Sequence, residues 1–282
     1  MSELQKALEY ANQNRERFLN ELIEVLKIPS ISTDAQFDNE VLRAAEWMAN
    51  ALKRLGMENV EIMPTVKKDT PTEGGHPVVY GDYIRKPGAP TVLVYGHYDV
   101  QPPDPEELWE TGPFEPEVRG DLLFGRGSSD MKGQALAVFG AIESLMKCGG
   151  MPVNLKFLLE GEEEIGSKHL EPFLQKHAEK FKADVSLNPD AGMRGIDMPT
   201  ITYGLRGLSY FEINVWGPKA DLHSGLYGGA VHNPAQVLAE LVAKMHDEKG
   251  LVTLPDFYDS VRTLSPQERA DFARLPNDDA SY

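Results

Sequence analysis

Thr91-Val-Leu-Val-Tyr-Gly-His97-Tyr-Asp99-Val100 is a compact apolar run that ends on a histidine, with an aspartate two positions on. A short continuous apolar stretch bounded by turn formers reads as a buried strand. In extended chain, positions two apart point the same way. Asp99 is therefore placed to accept the second N–H of the His97 imidazole, the arrangement that fixes the tautomer of a metal-bound histidine.

The same pattern, a strand followed at once by metal-type ligands, recurs down the chain. Leu122–Phe124 leads into Gly125-Arg-Gly127-Ser-Ser-Asp130-Met-Lys-Gly133, where glycines permit tight turns and Asp130 can offer both carboxylate oxygens to a pair of cations. Val153–Leu159 leads into Glu160-Gly-Glu162-Glu163-Glu164-Ile-Gly-Ser167, and Ala183–Leu187 into Asn188-Pro-Asp190-Ala-Gly192. A capping role for Asp130, a solvated acidic run and a plain turn at Asp190 are the structural alternatives. A phosphate loop is excluded, because the Gly-x4-Gly-Lys-Ser/Thr order is absent. In open parallel sheets, loops at the carboxyl ends of strands share one crevice. The four segments are therefore expected to converge, bringing His97, Asp130, Asp190 and a glutamate of the acidic run together as metal ligands, with an adjacent glutamate free to take a proton.

Around these segments the periodicity predicts a helix over 3–27, closed by Pro29, and a second from Asn39 to Leu55 with Gly56 as its C-terminal cap. Strands are predicted at Val60–Met63 and Val78–Tyr83, and helices at Ala135–Met146 and Ser167–Phe181. Alternating strands and helices predict an α/β fold, a mostly parallel sheet with helices on both faces. Near Tyr203 the texture changes. Leu208–Trp216 alternates as a half-buried antiparallel strand would, and a helix of about fifteen residues should follow Asn233. A boundary is expected near 200–207, giving a catalytic metal-binding part over 1–204 and an incomplete α+β lid over 205–282. The polar end, Pro276–Tyr282, closes no element.

The 282 residues carry 44 acidic and 28 basic side chains, a net charge of −16. That field repels phosphate backbones and anionic lipid, so neither nucleic acid nor membrane is expected as a partner. Cys148 is the single cysteine, which excludes an internal disulfide and thiolate metal clusters. No stretch is long and apolar enough for a membrane span and the N-terminus has no apolar signal core. A cytoplasmic location is the resulting expectation.

Gly96-His-Tyr-Asp-Val-Gln-Pro-Pro103, the Asp130 and Glu164 segments quoted above and Asp221-Leu-His223-Ser-Gly-Leu-Tyr-Gly-Gly229 together resemble the aminoacylase/carnosinase/carboxypeptidase G metallopeptidase family. Gln101-Pro-Pro and Leu108-Trp with Pro113-Phe-Glu-Pro116 look most like its cytosolic dipeptidase branch. The resemblance implies two divalent ions, zinc first, with manganese or cobalt compatible with the donor set. It implies that Asp130 bridges them, His97 and Asp190 complete one site, Glu164 binds the other ion, Glu163 is the general base and Asp99 backs His97. His223 would reach the active site of a dimer partner. The implied substrate is a dipeptide, with an N-acyl amino acid as the alternative. Family members continue beyond this length and draw a second ligand histidine from the returning segment. The chain is thus expected to be cut short, and a non-catalytic metal-binding fragment is a further alternative. Met131 stands where many relatives carry an acidic residue.

Overall fold

The computed structural model describes residues 1–66, 75–193, 195 and 197–275; the polar end at Pro276–Tyr282 lies outside them. Helix α1 (Glu3–Gln13) opens on a capping box between Ser2 and Gln5, and α2 (Arg15–Leu26) follows. One helix was expected here. The break falls at Asn14, whose side-chain amide donates to the Tyr10 carbonyl at 2.9 Å, so a side chain competes with the helical ladder. Helix α3 (Asp38–Arg54) ends where predicted, at Gly56 with φ +87°. Met57 N then donates back to Leu52 O at 3.0 Å, closing the end by a left-handed glycine.

The strands are β1 (Glu58–Met63), β2 (Val78–Tyr83), β3 (Thr91–His97), β4 (Glu117–Arg119), β5 (Leu122–Phe124), β6 (Asn154–Glu160) and β7 (Val185–Leu187). Five of them form one sheet in the order β1-β2-β6-β3-β7. It is mixed rather than mostly parallel: β1/β2 and β2/β6 are antiparallel, whereas β6/β3 and β3/β7 are parallel. Strands β4 and β5 form a separate two-stranded ribbon, so Leu122–Phe124 is not a strand of the main sheet. Three residues are too few to bury a face, and Leu122 is exposed.

Helix α4 (Lys132–Cys148) packs with α3 on one face of the sheet. Val41, Met48 and Leu52 meet Ala135, Phe139 and Ile142 over Val94, Leu155, Phe157 and Leu159. Helices α5 (Leu170–Lys176) and α6 (Ala178–Phe181) cover the other face, where Phe173 and Phe181 meet Val78, Tyr80 and Leu158. The alternation of β6, with Phe157 to one side and Leu158 to the other, is the period of two that a strand buried on both faces requires. The rings of Phe139 and Phe157 meet edge to face at 5.8 Å. Complete burial of a side chain such as Phe157 contributes roughly 1.5–3 kcal/mol.

The chain divides into two units, Met1–Tyr203 and Gly204–Tyr282. The second contains α7 (Ser224–Tyr227), α8 (Pro234–Ala243) and α9 (Pro266–Ala273). The expected strand over Leu208–Trp216 is not formed, and Phe211 and Trp216 are exposed. Alternation supplies the pattern of a strand but not the neighbour that must take its N–H and C=O groups, and no such neighbour stands among the described residues of this unit. Helix α8 is ten residues long rather than fifteen, capped by Asn233 onto Ala235 N. No helix among the described residues is long and apolar enough to cross a membrane.

Candidate active site

The three parallel strands deliver the site. His97 is the last residue of β3 and stands in register with Glu160, the last of β6. Glu163 and Glu164 follow on a single helical turn, Glu163–Ile165, closed by Gly166 at φ +85°. Asp190 follows β7 on a turn in which Asn188 Oδ1 accepts the Asp190 N–H at 3.0 Å. His97 is completely buried. Its Nε2 lies 3.1 Å from Asp130 Oδ1, 3.6 Å from Asp190 Oδ2 and 3.9 Å from Glu163 Oε2. Two groups of donor atoms are close enough to share an ion, His97 with Asp130 and Asp190, and His97 with Glu163 and Glu164. Among the described residues one histidine therefore serves both groups.

On its other side the imidazole meets Asp99. His97 Nδ1 is 3.0 Å from the Asp99 carbonyl and 3.3 Å from its Oδ1. The carbonyl takes the better-directed hydrogen bond, and Oδ1, which accepts none of good geometry, is the ionic neighbour. Either acceptor takes the Nδ1 proton, so that Nε2, which faces the carboxylates, is the nitrogen that can be given to a metal ion when its proton is displaced.

Asp130 arrives by a different route from the others, on the loop that enters α4. Lys132 is fully buried, and its Nζ donates to Ile28 O at 2.8 Å and Val25 O at 3.3 Å, tying this loop to the end of α2. Burial pushes the Lys132 ammonium down to about 7, against a partial upward pull from Asp99. The backbone at Gly133 passes so close to Ser128 that an added Cβ would lie 2.0 Å from the Ser128 carbonyl oxygen. Gly133→Ala is expected to destabilise the first unit by about 1–3 kcal/mol, the usual cost of overpacking. For a unit of this size each kcal/mol lowers the melting temperature by roughly 2–4 °C. A melting temperature equal to wild type would contradict the close approach.

Electrostatically the site is short of positive charge. Burial would push the His97 imidazole down, but the Asp99 contact and the charges of Asp99, Glu163 and Asp190 outweigh it and raise it to about 9. Burial raises Glu163, Glu164 and Asp190 above the usual carboxylate range, and neighbouring carboxylates add to this while His97 opposes it. Four carboxylates and one imidazole facing one another are compensated by divalent cations, and hard oxygen donors with one nitrogen suit such ions. The residues present therefore fit a metal centre.

His223 belongs to the second unit, where its Nδ1 accepts from Gly225 N at 3.0 Å and caps α7. Several neighbours of the site have no role assigned by the sequence. Gln101 Nε2 donates to Glu164 Oε2 at 2.9 Å, and Ser32 Oγ to Asp99 Oδ2 at 2.7 Å. Glu162, within the acidic run, is buried and accepts from His76 N and from His169 N and Nδ1, so it serves the fold. Only a three-dimensional neighbour list distinguishes it from Glu163.

The sequence pattern of peptidase family M20/M25/M40 matches residues 93–256. The chain belongs to this family. Among curated M20-type relatives it is 37% identical to the Cys-Gly metallodipeptidase of Schizosaccharomyces pombe, covering 94% of this chain and 57% of the relative. It is 35% identical to the human Beta-Ala-His dipeptidase, covering 94% of this chain and 54% of that protein. The solved structure of human carnosine dipeptidase 1 matches with a TM-score of 0.76 at 32% identity, over 99% of this chain and 60% of that one. The chain thus spans somewhat more than half the length of the M20 proteins it resembles.

Proposed function

We propose that the protein hydrolyses the amide bond of dipeptides at a centre of two divalent ions, zinc in the first place. The observation that carries this reading is the buried His97, whose Nε2 faces Asp130, Asp190 and Glu163 within 3.9 Å. In this reading His97, Asp130 and Asp190 would hold one ion, and Asp130 and Glu164 would serve the other. When bound, such ions supply an acidified water and polarise the scissile carbonyl. Asp99 holds the His97 ring by Nδ1. Glu163, which turns an oxygen toward the same centre, takes a proton from the attacking water and delivers it to the leaving amine. His223 donates to the developing oxyanion across a homodimer. A cytoplasmic setting accords with Cys148 as the single cysteine.

Both curated relatives above are named for dipeptides, and this favours dipeptides over N-acyl amino acids. The test is a substrate panel on the full-length protein. Dipeptides are expected to be cleaved and N-acetyl amino acids left intact, with activity lost to a chelator and restored by zinc. Cleavage of acetylated amino acids alone would replace the dipeptidase reading with a deacylase.

A further inference from the structure

We infer that Ser32 is a positioning residue for the proposed metal centre, its hydroxyl turning the Asp99 carboxylate so that one oxygen faces the His97 imidazole. The inference rests on the reading of His97 as a metal ligand.

After α2 the chain runs as a buried strap through Ile28, Ser30, Ile31 and Ser32. It lies alongside the segment that follows β3. Val100 N donates to Ser30 O at 2.9 Å, Ser30 Oγ donates to Tyr98 O at 2.6 Å, and Ile31 bridges Val100 in parallel. These bonds fix the backbone on either side of Asp99. The Asp99 side chain is itself completely buried. Its Oδ2 accepts from Ser32 Oγ at 2.7 Å and from Glu164 N at 3.1 Å. With Oδ2 held by two donors from two directions, the carboxylate plane is set, and Oδ1 is left 3.3 Å from His97 Nδ1.

One aspartate therefore joins three segments: the strap through Ser32, the β3 end through His97, and the Glu163–Ile165 turn through the Glu164 amide. Ser32 is the only member of this junction that arrives from the N-terminal strap. Lys132 ties the Asp130 loop to the start of the same strap through Ile28 O and to the end of α2 through Val25 O. Without the hydroxyl, a buried carboxylate oxygen keeps one donor instead of two and the rotamer is free to turn. Partners of this outer kind typically tune metal affinity by about 10–100-fold.

The experiment measures zinc dissociation constants by chelator competition for the full-length protein and for Ser32→Ala, Asp99→Asn, Ser32→Ala/Asp99→Asn and Ser144→Ala. Ser32→Ala is expected to weaken zinc about 10-fold, at the lower end of that range. In the Asp99→Asn background it should add little, because both changes break one junction. Ser144→Ala removes another buried hydroxyl, one that donates only to the Gly140 carbonyl at 2.7 Å within α4. It should leave zinc affinity at the wild-type value. Unchanged zinc affinity in Ser32→Ala, additivity with Asp99→Asn, or the same zinc loss in Ser144→Ala would each overturn the inference. If Asp99→Asn itself leaves zinc binding intact, the reading of the His97 site fails instead, and the two failures are distinct.

Discussion

Glu163→Gln in the full-length protein is expected to keep its metal and lose its turnover, with kcat falling by about 10²–10⁴-fold. The amide has the shape of the carboxylate and cannot take a proton. Glu163 is suited to the base's part by position and environment. It leaves the end of β6 on a rigid turn, its side chain is 39% exposed, and Oε2 stands 3.9 Å from His97 Nε2. A base must meet water, and of the adjacent pair this one is the less engaged: Glu164 already accepts from Gln101. Burial raises Glu163 above the usual carboxylate range, which strengthens it as a proton acceptor. The check is kcat at saturating dipeptide beside elemental analysis of the same sample. Wild-type turnover in the glutamine variant would remove Glu163 from the mechanism, and loss of metal would make it a ligand.

Asp130→Asn should behave in the opposite way, losing the metal and with it the activity. Its Oδ1 is the carboxylate atom nearest His97 Nε2, at 3.1 Å. Of the charged groups in the first donor set, it is the one assigned to both ions. Removing an outer partner of a metal site costs about 10–100-fold in affinity, and a bridging ligand should cost more than about 100-fold. The metal-free fold should be nearly indifferent, because the Asp130 side chain is 62% exposed and exposed substitutions usually stay within about 0.5 kcal/mol. Zinc titration followed calorimetrically, beside thermal melts in chelator, separates these outcomes. Retention of zinc at wild-type affinity would place the bridge elsewhere.

Much of this site is legible in the sequence because the proposed ligands sit at or shortly after the ends of strands. His97, Glu164 and Asp190 each follow an apolar run by a few residues, and parallel pairing of β6, β3 and β7 brings those ends together. Asp130 is legible for its glycines, yet the strand before it belongs to a ribbon and not to the main sheet. Local periodicity identified Leu122–Phe124 as extended and had no means of assigning it a neighbour. The same limit explains β1 and β2, whose antiparallel attachment leaves no trace in composition. It also explains Leu208–Trp216, where alternation exists without a partner. The break at Asn14 was readable in principle, since an amide side chain can cap a helical carbonyl, but the flanking apolar stripe outweighed it. The contacts of Ser32 and Gln101 are not readable, although Gln101 stands in the Gln-Pro-Pro motif, because a serine or glutamine acquires a role only from what the fold brings within 3 Å.

The place of β6 between β2 and β3 also bears on how the molecule is made. Thr91 pairs with Asn154 and Val79 with Leu159, so β2 and β3 never touch although they are consecutive in the main sheet's chain order. Each waits for the same later strand. During synthesis at about 5–20 residues per second, both emerge with an edge open until β6 arrives. Their apolar faces are then exposed for several seconds, the interval in which a nascent chain is most vulnerable to wrong pairing. Distant pairing of this kind slows folding. The strand that ends beside the acidic turn is thus also the one whose arrival joins β2 to β3, and only the edge strand β7, with Asp190 behind it, is left to be added.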